Sequence, residues 1–343
     1  MSSKLEKDVA WNSSIRGILY KQIFAKPKAL PPSASLSKQT GMITGANSGV
    51  GFEAARQALE LGLSRLVIAV RSQAKGDEAA RKLSEEFPLA EVNVWIVDLA
   101  DYDSVVALAN RCQDSLECLD FAILNAGVQL SDFTTSDKTG HEMTIQTNYL
   151  SNVLLVLLLS KIMKEKKSQR GDAGKPPIIS VVGSDTMYLS KFEASGRILP
   201  FLDDPTRYTR FEQYRDSKLL LMMFIAKLAE KTSPDSVIIN VSNPGLTANT
   251  GLGKSEQQKA GLAARLLVPV FIKAVGRPLK VGASNYIHAL LEEGTESHGS
   301  FVSDWEISSY PRVMYTQKGR EMSERLWQET VEELHFASDS IPI

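Results

Sequence analysis

The stretch Gly41-Met42-Ile43-Thr44-Gly45-Ala46-Asn47-Ser48-Gly49-Val50-Gly51 decides how this chain is read. A short apolar run is followed at once by the glycine-rich TGANSGVG. Residues 52–61 then carry Ala54 and Ala58 four apart, small side chains on one helical face suited to close packing on a sheet. Gly62 follows in the position that ends helices. A strand turning sharply through glycine into a helix is the local pattern of a nucleotide-binding β–turn–α unit. Gly45 allows the sharp turn, Gly49 lets the backbone approach a pyrophosphate, and Gly51 lets helix and strand pack closely. The free N–H groups and dipole of the helix start then favour the anion.

The alternation continues outward from this unit. Apolar runs at 66–70 (LVIAV), 92–97 (VNVWIV), 121–124 (FAIL), 178–182 (IISVV) and 236–241 (SVIINV), with a short one at 300–302, read as strands. Helical stretches at 74–86, 101–116, 141–163, 214–231 and 280–293 separate them. Strands apolar along their whole length, alternating with amphipathic helices, imply a parallel sheet covered on both faces. The expectation is an α/β chain with one doubly wound, Rossmann-type domain of about seven strands, its ligand at the strands' carboxyl ends. Residues 1–36, with a Pro/Ser-rich linker at 27–37, read as an N-terminal extension. Residues 37–343 read as the domain, with a substrate lid near 251–278 and a C-terminal helix.

Composition narrows the class. The chain has 343 residues, 39 Lys+Arg against 40 Asp+Glu and 43% hydrophobic residues, as in soluble globular proteins and unlike a general nucleic-acid binder. Cys112 and Cys118 cannot make a disulfide framework and lack zinc-site spacing, which suits a reducing, cytoplasmic setting. The four histidines are scattered and read as surface or helix-end residues. Residues 1–11 are too polar for a secretory signal. The longest unbroken apolar stretch, 219–226, is far short of the roughly 20 residues that span a bilayer. That stretch opens LLLMMFIAKL, apolar almost all round, which reads as a buried core helix. Residues 15–24 (IRGILYKQIF) are amphipathic, with Arg16, Lys21, Lys26 and Lys28 in or just after them. They read as a helix docked on the main domain or resting on a membrane surface.

Two further patterns bear on chemistry. At the end of the second strand a cofactor-binding fold of this kind selects NAD with a carboxylate. Here Val70 is followed by Arg71, with Lys75 next, so NADP(H) is expected in preference to NAD(H). Tyr214 and Lys218 form YxxxK on a helix, an i, i+4 spacing that puts phenol and ammonium on one face. A lysine ammonium there stabilises the phenolate and moves the tyrosine down from its usual pKa of about 10.

The TGxxxGxG spacing, Asn125-Ala126-Gly127, Ser184 after the fifth strand, YxxxK, and Asn243-Pro244-Gly245 after the sixth together resemble the short-chain dehydrogenase/reductase (SDR) family over roughly residues 40–310. The long gap between Ser184 and Tyr214, with LPFLDD inside it, and YRDSKLLLMMF resemble its retinol-dehydrogenase-like and WW-domain-oxidoreductase-like branch. The resemblance implies reversible hydride transfer between NADP(H) and a carbonyl or alcohol. Tyr214 would be acid and base, Ser184 would orient the substrate oxygen, Lys218 would tune Tyr214 and bind the nicotinamide ribose, and Asn148 would support the proton relay. Cofactor contacts are implied at Thr44, Gly45, Asn47, Ser48, Gly49, Val50 and Gly51, at Asp98 and Leu99, at Asn125, Ala126 and Gly127, and at Pro244, Gly245 and Thr247. Arg71 and Lys75 join them, as do Tyr214 and Lys218.

Three positions depart from the family pattern. Gly183 stands where a serine is common, Asp185 follows the catalytic serine directly, and PGLTANT is shifted by one. The apolar residues of 260–275 suit a lid over a small hydrophobic substrate: a bulky ketone, alcohol or aldehyde such as a polyketide- or terpenoid-like secondary metabolite or a retinoid. The same residues also suit a dimer surface or a membrane-resting patch. Met187, Tyr188 and Phe192 line that pocket or belong to the core. Neither nucleic acid nor a metal is expected as a partner, and the protein is expected as a monomer or homodimer. Two other readings stay open: an SDR scaffold performing a non-redox step such as a cyclisation, and a redox-silent cofactor-binding protein.

Overall fold

The structure is a computed structural model and describes residues 1–170, 175–194, 196–248, 250 and 272–340. Its sheet comprises β1 (Thr40–Thr44), β2 (Arg65–Val70), β3 (Glu91–Ile96), β4 (Phe121–Leu124), β5 (Ile178–Val182), β6 (Ile238–Asn243), β7 (Phe301–Ser303) and β8 (Glu306–Ser308). The strand order is β3-β2-β1-β4-β5-β6-β7-β8. Every pairing is parallel except β7 with β8. The order reverses between β1 and β4, which opens the ligand crevice of a doubly wound sheet above their carboxyl ends.

Helices cover both faces. On one side α2 (Gly49–Glu60), α3 (Gln73–Glu86) and α7 (Leu279–Leu291) bury Ala54, Ala58, Leu83, Ala283 and Tyr286. On the other, α4 (Tyr102–Ser115), α5 (Ser151–Arg170), α6 (Arg210–Lys231) and α8 (Gln317–Glu333) enclose the larger core, and Trp327 stacks on Phe224 with centroids 4.9 Å apart. The α1 helix (Ile15–Phe24) lies outside both cores. As expected, the Leu219–Phe224 stretch is buried all round. Among the described residues one helical run, Met143–Ser168, is long and apolar enough to cross a membrane, but 83% of its most apolar window is buried in the protein, where it serves as core.

Sequence and structure differ at several places. An eighth strand exists because β7 hairpins into β8 through Asp304 and Trp305, both with positive φ (58° and 59°). Such turns usually announce themselves with Asn-Gly or Asp-Gly, and Asp-Trp carries no such signal. The helix expected at 141–163 is broken into Met143–Ile145, a π turn at Gln146–Leu150, and α5. Met187 and Phe192 belong to the core, and Tyr188 packs against it while donating its hydroxyl hydrogen bond to the Ser309 carbonyl, so none of the three is free to line a pocket. Most of the expected lid at 251–278 lies outside the described residues.

The N-terminal extension is tied into the far end of the sheet. Met1's ammonium donates to Ser300 Oγ at 2.9 Å, Phe301 N–H donates to Ser2 Oγ at 3.0 Å, and Asn12 Nδ2 donates to Ser309 Oγ at 2.9 Å. This segment covers the short edge hairpin, which would otherwise offer open backbone groups.

His141 is not the surface residue expected. Its Nδ1 meets Asp203 at 2.7 Å and its Nε2 meets Glu333 at 3.1 Å, and Tyr102 donates to Glu333 at 3.2 Å. Burial disfavours the cation, but the two carboxylates win and hold the imidazole up to about 9. A group raised above its ordinary 6.5 stabilises the fold fully below that pH and loses the contribution as pH rises through 9. Melting temperature should therefore fall between those limits by an amount reflecting on the order of 2 kcal/mol. His141→Gln should flatten that slope and lower the plateau on its acid side, and an unchanged slope in the variant would exclude this ion pair as its source.

Candidate active site

The glycine-rich turn is built by backbone conformation. Gly45 and Gly49 have φ of 66° and 62°, in the left-handed region that side chains disfavour. A Cβ on Gly51 would lie 2.5 Å from Asn125 Nδ2 and 2.7 Å from the Gly45 carbonyl oxygen, so its missing side chain lets helix, turn and the end of β4 meet. Asn125 Nδ2 donates to the Thr44 carbonyl at 3.0 Å, and Ala126 N–H donates to Thr44 Oγ1 at 2.9 Å. Asn125 and Ala126 thus hold the turn from behind. Ser48 caps α2 without a side-chain hydrogen bond, and no acidic residue stands in the first turn. Its N–H groups remain available to an anion. Asn47 is half-buried and Ser48 exposed on this turn, while Val50 points into the core.

The strand ends complete the cradle. Arg71 and Lys75 are exposed at the carboxyl end of β2, where the first turn of α3 again carries no acid. Neither has a hydrogen-bond or ion-pair partner among the described residues. Asp98 is half-buried past β3, its Oδ1 accepting from Ala100 N–H at 3.0 Å. Leu99's side chain is core, and its carbonyl accepts from Ser151 Oγ at 2.6 Å. Gly245 has φ of 71°, and Thr247 Oγ1 turns back to donate to the Gly245 carbonyl at 3.1 Å. Uncapped helix start, glycine turn and exposed cations together fit a nicotinamide dinucleotide.

Ser184, Tyr214 and Lys218 converge at the end of β5. The Ser184 hydroxyl faces the Tyr214 phenol and favours its charged form, and Thr186 Oγ1 donates to Ser184 Oγ at 2.9 Å. Lys218 Nζ lies 5.8 Å from the Tyr214 ring centroid and donates to the Val182 carbonyl at 2.7 Å. The i, i+4 geometry holds, but the expected electrostatics do not. Burial pushes Tyr214 up to about 12 against the opposing pull of the Ser184 hydroxyl, with Asp185's negative charge adding to the rise, and burial alone brings Lys218 down to about 8. Burial thus shifts both groups toward their neutral forms.

Asn148 sits in the π turn, a distortion that recurs at functional sites. Its Oδ1 accepts from Val128 N–H at 2.8 Å, while its Nδ2 donates to the Val128 carbonyl at 2.9 Å and to Ser217 Oγ at 3.1 Å. That side chain clamps the loop after β4 to the helix bearing Tyr214 and Lys218. Gly127 fits beneath it, because a Cβ there would lie 3.0 Å from Asn148 Oδ1. The departure at Gly183 has a similar cause, since a Cβ would lie 2.5 Å from Val241 Cγ1.

The sequence reading missed a polar group beside this site. Asp185 lies near Asn243 and faces Asp304 and Arg277, and burial with the Asp304 charge pushes it up to about 6. Arg277 pairs with Asp304 and lies over Trp305 at 5.0 Å. Tyr286, fully buried on α7, donates to Asn125 Oδ1 at 3.3 Å. Only the Ser184-Asp185 adjacency hinted at any of this, because the partners come from four distant elements.

Comparison with known proteins agrees with this geometry. Residues 39–183 match the family model described as short chain dehydrogenase. The chain is 46% identical over 342 residues to the short chain dehydrogenase virL of Hypocrea virens, covering 99% of this chain and 97% of the relative. It is 40% identical over 321 residues to the short chain dehydrogenase/reductase mfmJ of Annulohypoxylon moriforme, covering 92% and 90%. Among solved structures, levodione reductase superposes with a TM-score of 0.61 at 17% identity, covering 78% of this chain and 96% of that one. L-sorbose reductase from Gluconobacter frateurii, complexed with NADPH and L-sorbose, superposes with a TM-score of 0.58 at 21% identity, covering 79% and 96%. The near-complete likeness to virL and mfmJ, with the glycine turn and the Ser184–Tyr214–Lys218 convergence, means that the chain belongs to the short-chain dehydrogenase/reductase family of oxidoreductases.

Proposed function

We propose that the protein interconverts a carbonyl and an alcohol on a bulky apolar substrate with NADP(H). The observation that carries this reading is the convergence of the Ser184 and Tyr214 hydroxyls beside Lys218, in the crevice that begins at the uncapped start of α2. The nicotinamide cofactor, when bound, supplies or accepts the hydride. Ser184 holds the substrate oxygen by a hydrogen bond. Tyr214 gives that oxygen a proton in reduction and takes one back in oxidation. A phenol pushed up to about 12 keeps its proton through the neutral range. Lys218, fixed on the Val182 carbonyl and brought down to about 8, exchanges protons near neutrality.

The choice of NADP(H) rests on Arg71 and Lys75, two exposed cations in an acid-free turn where an NAD site would present a carboxylate. The substrate class rests on the apolar sequence of 260–275.

Three measurements test this reading. Tyr214→Phe should abolish NADPH-dependent ketone reduction while cofactor binding, followed by fluorescence, stays within about twofold, because the phenol's loss costs the proton and not the cradle; retained turnover would sink the assignment. Arg71→Asp with Lys75→Ala should raise the KM for NADPH by about tenfold or more and leave that for NADH much less affected, since a charge-assisted contact to phosphate is lost. Asp185→Asn removes a negative charge that opposes the phenolate. The rise of alcohol oxidation with pH should accordingly move to lower pH, and a kcat profile unmoved in the variant would show that Asp185 does not act on Tyr214.

A further inference from the structure

Helix α1 is turned inside out. Gly17 and Gln22 are its buried residues, whereas Ile15, Leu19, Tyr20, Ile23 and Phe24 are 67%, 39%, 55%, 54% and 61% exposed. Trp11, 48% exposed, continues this face from the turn before it. Tyr20 lies between Trp11 and Phe24, with ring centroids 5.7 and 5.0 Å away, so the three aromatics form one row. Surface helices ordinarily present such residues to the core.

Polar contacts fix this orientation. Gln22 Nε2 donates to the carbonyls of Leu246 and Val275, each at 2.8 Å, and Gln22 Oε1 accepts from Leu246 N–H at 3.0 Å. Arg277 Nη2 donates to the Lys21 carbonyl at 3.0 Å. A Cβ on Gly17 would run into the Trp11 carbonyl, so this residue seats the helix on the turn before it. The helix is therefore held by its polar side, and its apolar side is held out.

Charge identifies what covers that face. No Asp or Glu occurs between Asp8 and Glu53, while Arg16, Lys21, Lys26 and Lys28 all lie within or just after the helix. Lys21 is engaged with Glu306 at 3.5 Å, and Arg16, Lys26 and Lys28 are exposed. A second copy of the chain placed face to face would set these cations against themselves. An anionic lipid surface accepts apolar and aromatic side chains and basic ones together.

We propose that residues 11–28 dock the protein on an anionic phospholipid bilayer, with α1 in the plane of the interface. Ile15, Leu19 and Ile23 enter the acyl boundary, Trp11, Tyr20 and Phe24 sit at the headgroup level, and Arg16, Lys26 and Lys28 meet the phosphates. Because Gln22 grips Leu246 just past Pro244 and Gly245, docking brings the carboxyl end of β6 to the membrane. The docking does not depend on the catalytic reading.

Co-sedimentation of the full chain with phosphatidylcholine vesicles, with and without phosphatidylglycerol, tests it. The wild type should bind the phosphatidylglycerol vesicles, more strongly at low salt, and the neutral vesicles more weakly. Tyr20→Glu with Phe24→Glu, and separately Arg16→Glu with Lys26→Glu and Lys28→Glu, should each weaken that binding by more than about tenfold at an unchanged melting temperature. Failure of the wild type to sediment with phosphatidylglycerol vesicles at low salt would overturn the proposal, as would variants that bind equally well. A solution dimer abolished by the Tyr20 and Phe24 substitutions would overturn it in favour of a self-interface.

Discussion

A lysine ammonium kept out of water organises the functional end of this molecule. Lys218 is 4% exposed and places Nζ on the Val182 carbonyl at 2.7 Å. A buried cation needs its donors directed, because each unmet N–H costs the solvation it has lost. The surrounding architecture serves that need. β5 supplies the carbonyl, Gly127 leaves the room that a Cβ would take, and the π turn sets Asn148 to pin the loop after β4 against α6. With the ammonium displaced, Tyr214 would lose the neighbour one helical turn away.

The same burial sets the electrostatics of the resting site. Helical spacing puts phenol and ammonium together, yet proximity alone does not decide their protonation. In a dry crevice desolvation dominates, so Tyr214 moves up and Lys218 moves down, each toward neutrality. Asp185 works in the same direction on the phenol. What enters the crevice changes this balance.

A second polar centre braces the carboxyl ends of the last parallel strands. The buried Arg277–Asp304 pair joins the segment after β6 to the β7–β8 turn, with Trp305 beneath the guanidinium and Asn285 Oδ1 accepting from Trp305 N–H at 2.8 Å. These contacts explain how Asp304 and Trp305 persist at positive φ without glycine, since the surroundings over-determine the turn. Through the Lys21 carbonyl the same arginine also holds α1, so the strand ends and the exposed apolar helix share one support.

Periodicity and glycine placement were enough to read the doubly wound sheet, seven of its strands to within two residues, and the pair Tyr214 and Lys218 on one helix, whereas Asn148 and Ser184 came from the resemblance to the family. Those features are local: an apolar run of five residues, a turn needing left-handed backbone, and a pair four apart on a helix each write their cause into adjacent letters. Other features had no adjacent letters to show them. The hairpin strand β8 rests on a turn whose residues give no sign of it, the π turn on Asn148 bridging two elements, and the charged state of His141 on carboxylates 62 and 192 positions away. The amphipathic pattern of α1 was plain in the sequence, but which side faces the protein was decided by Gln22 meeting Leu246 and Val275 more than two hundred residues on. Burial and partner identity are properties of the folded chain, because dielectric and hydrogen-bond satisfaction depend on what packs around a group and not on what precedes it.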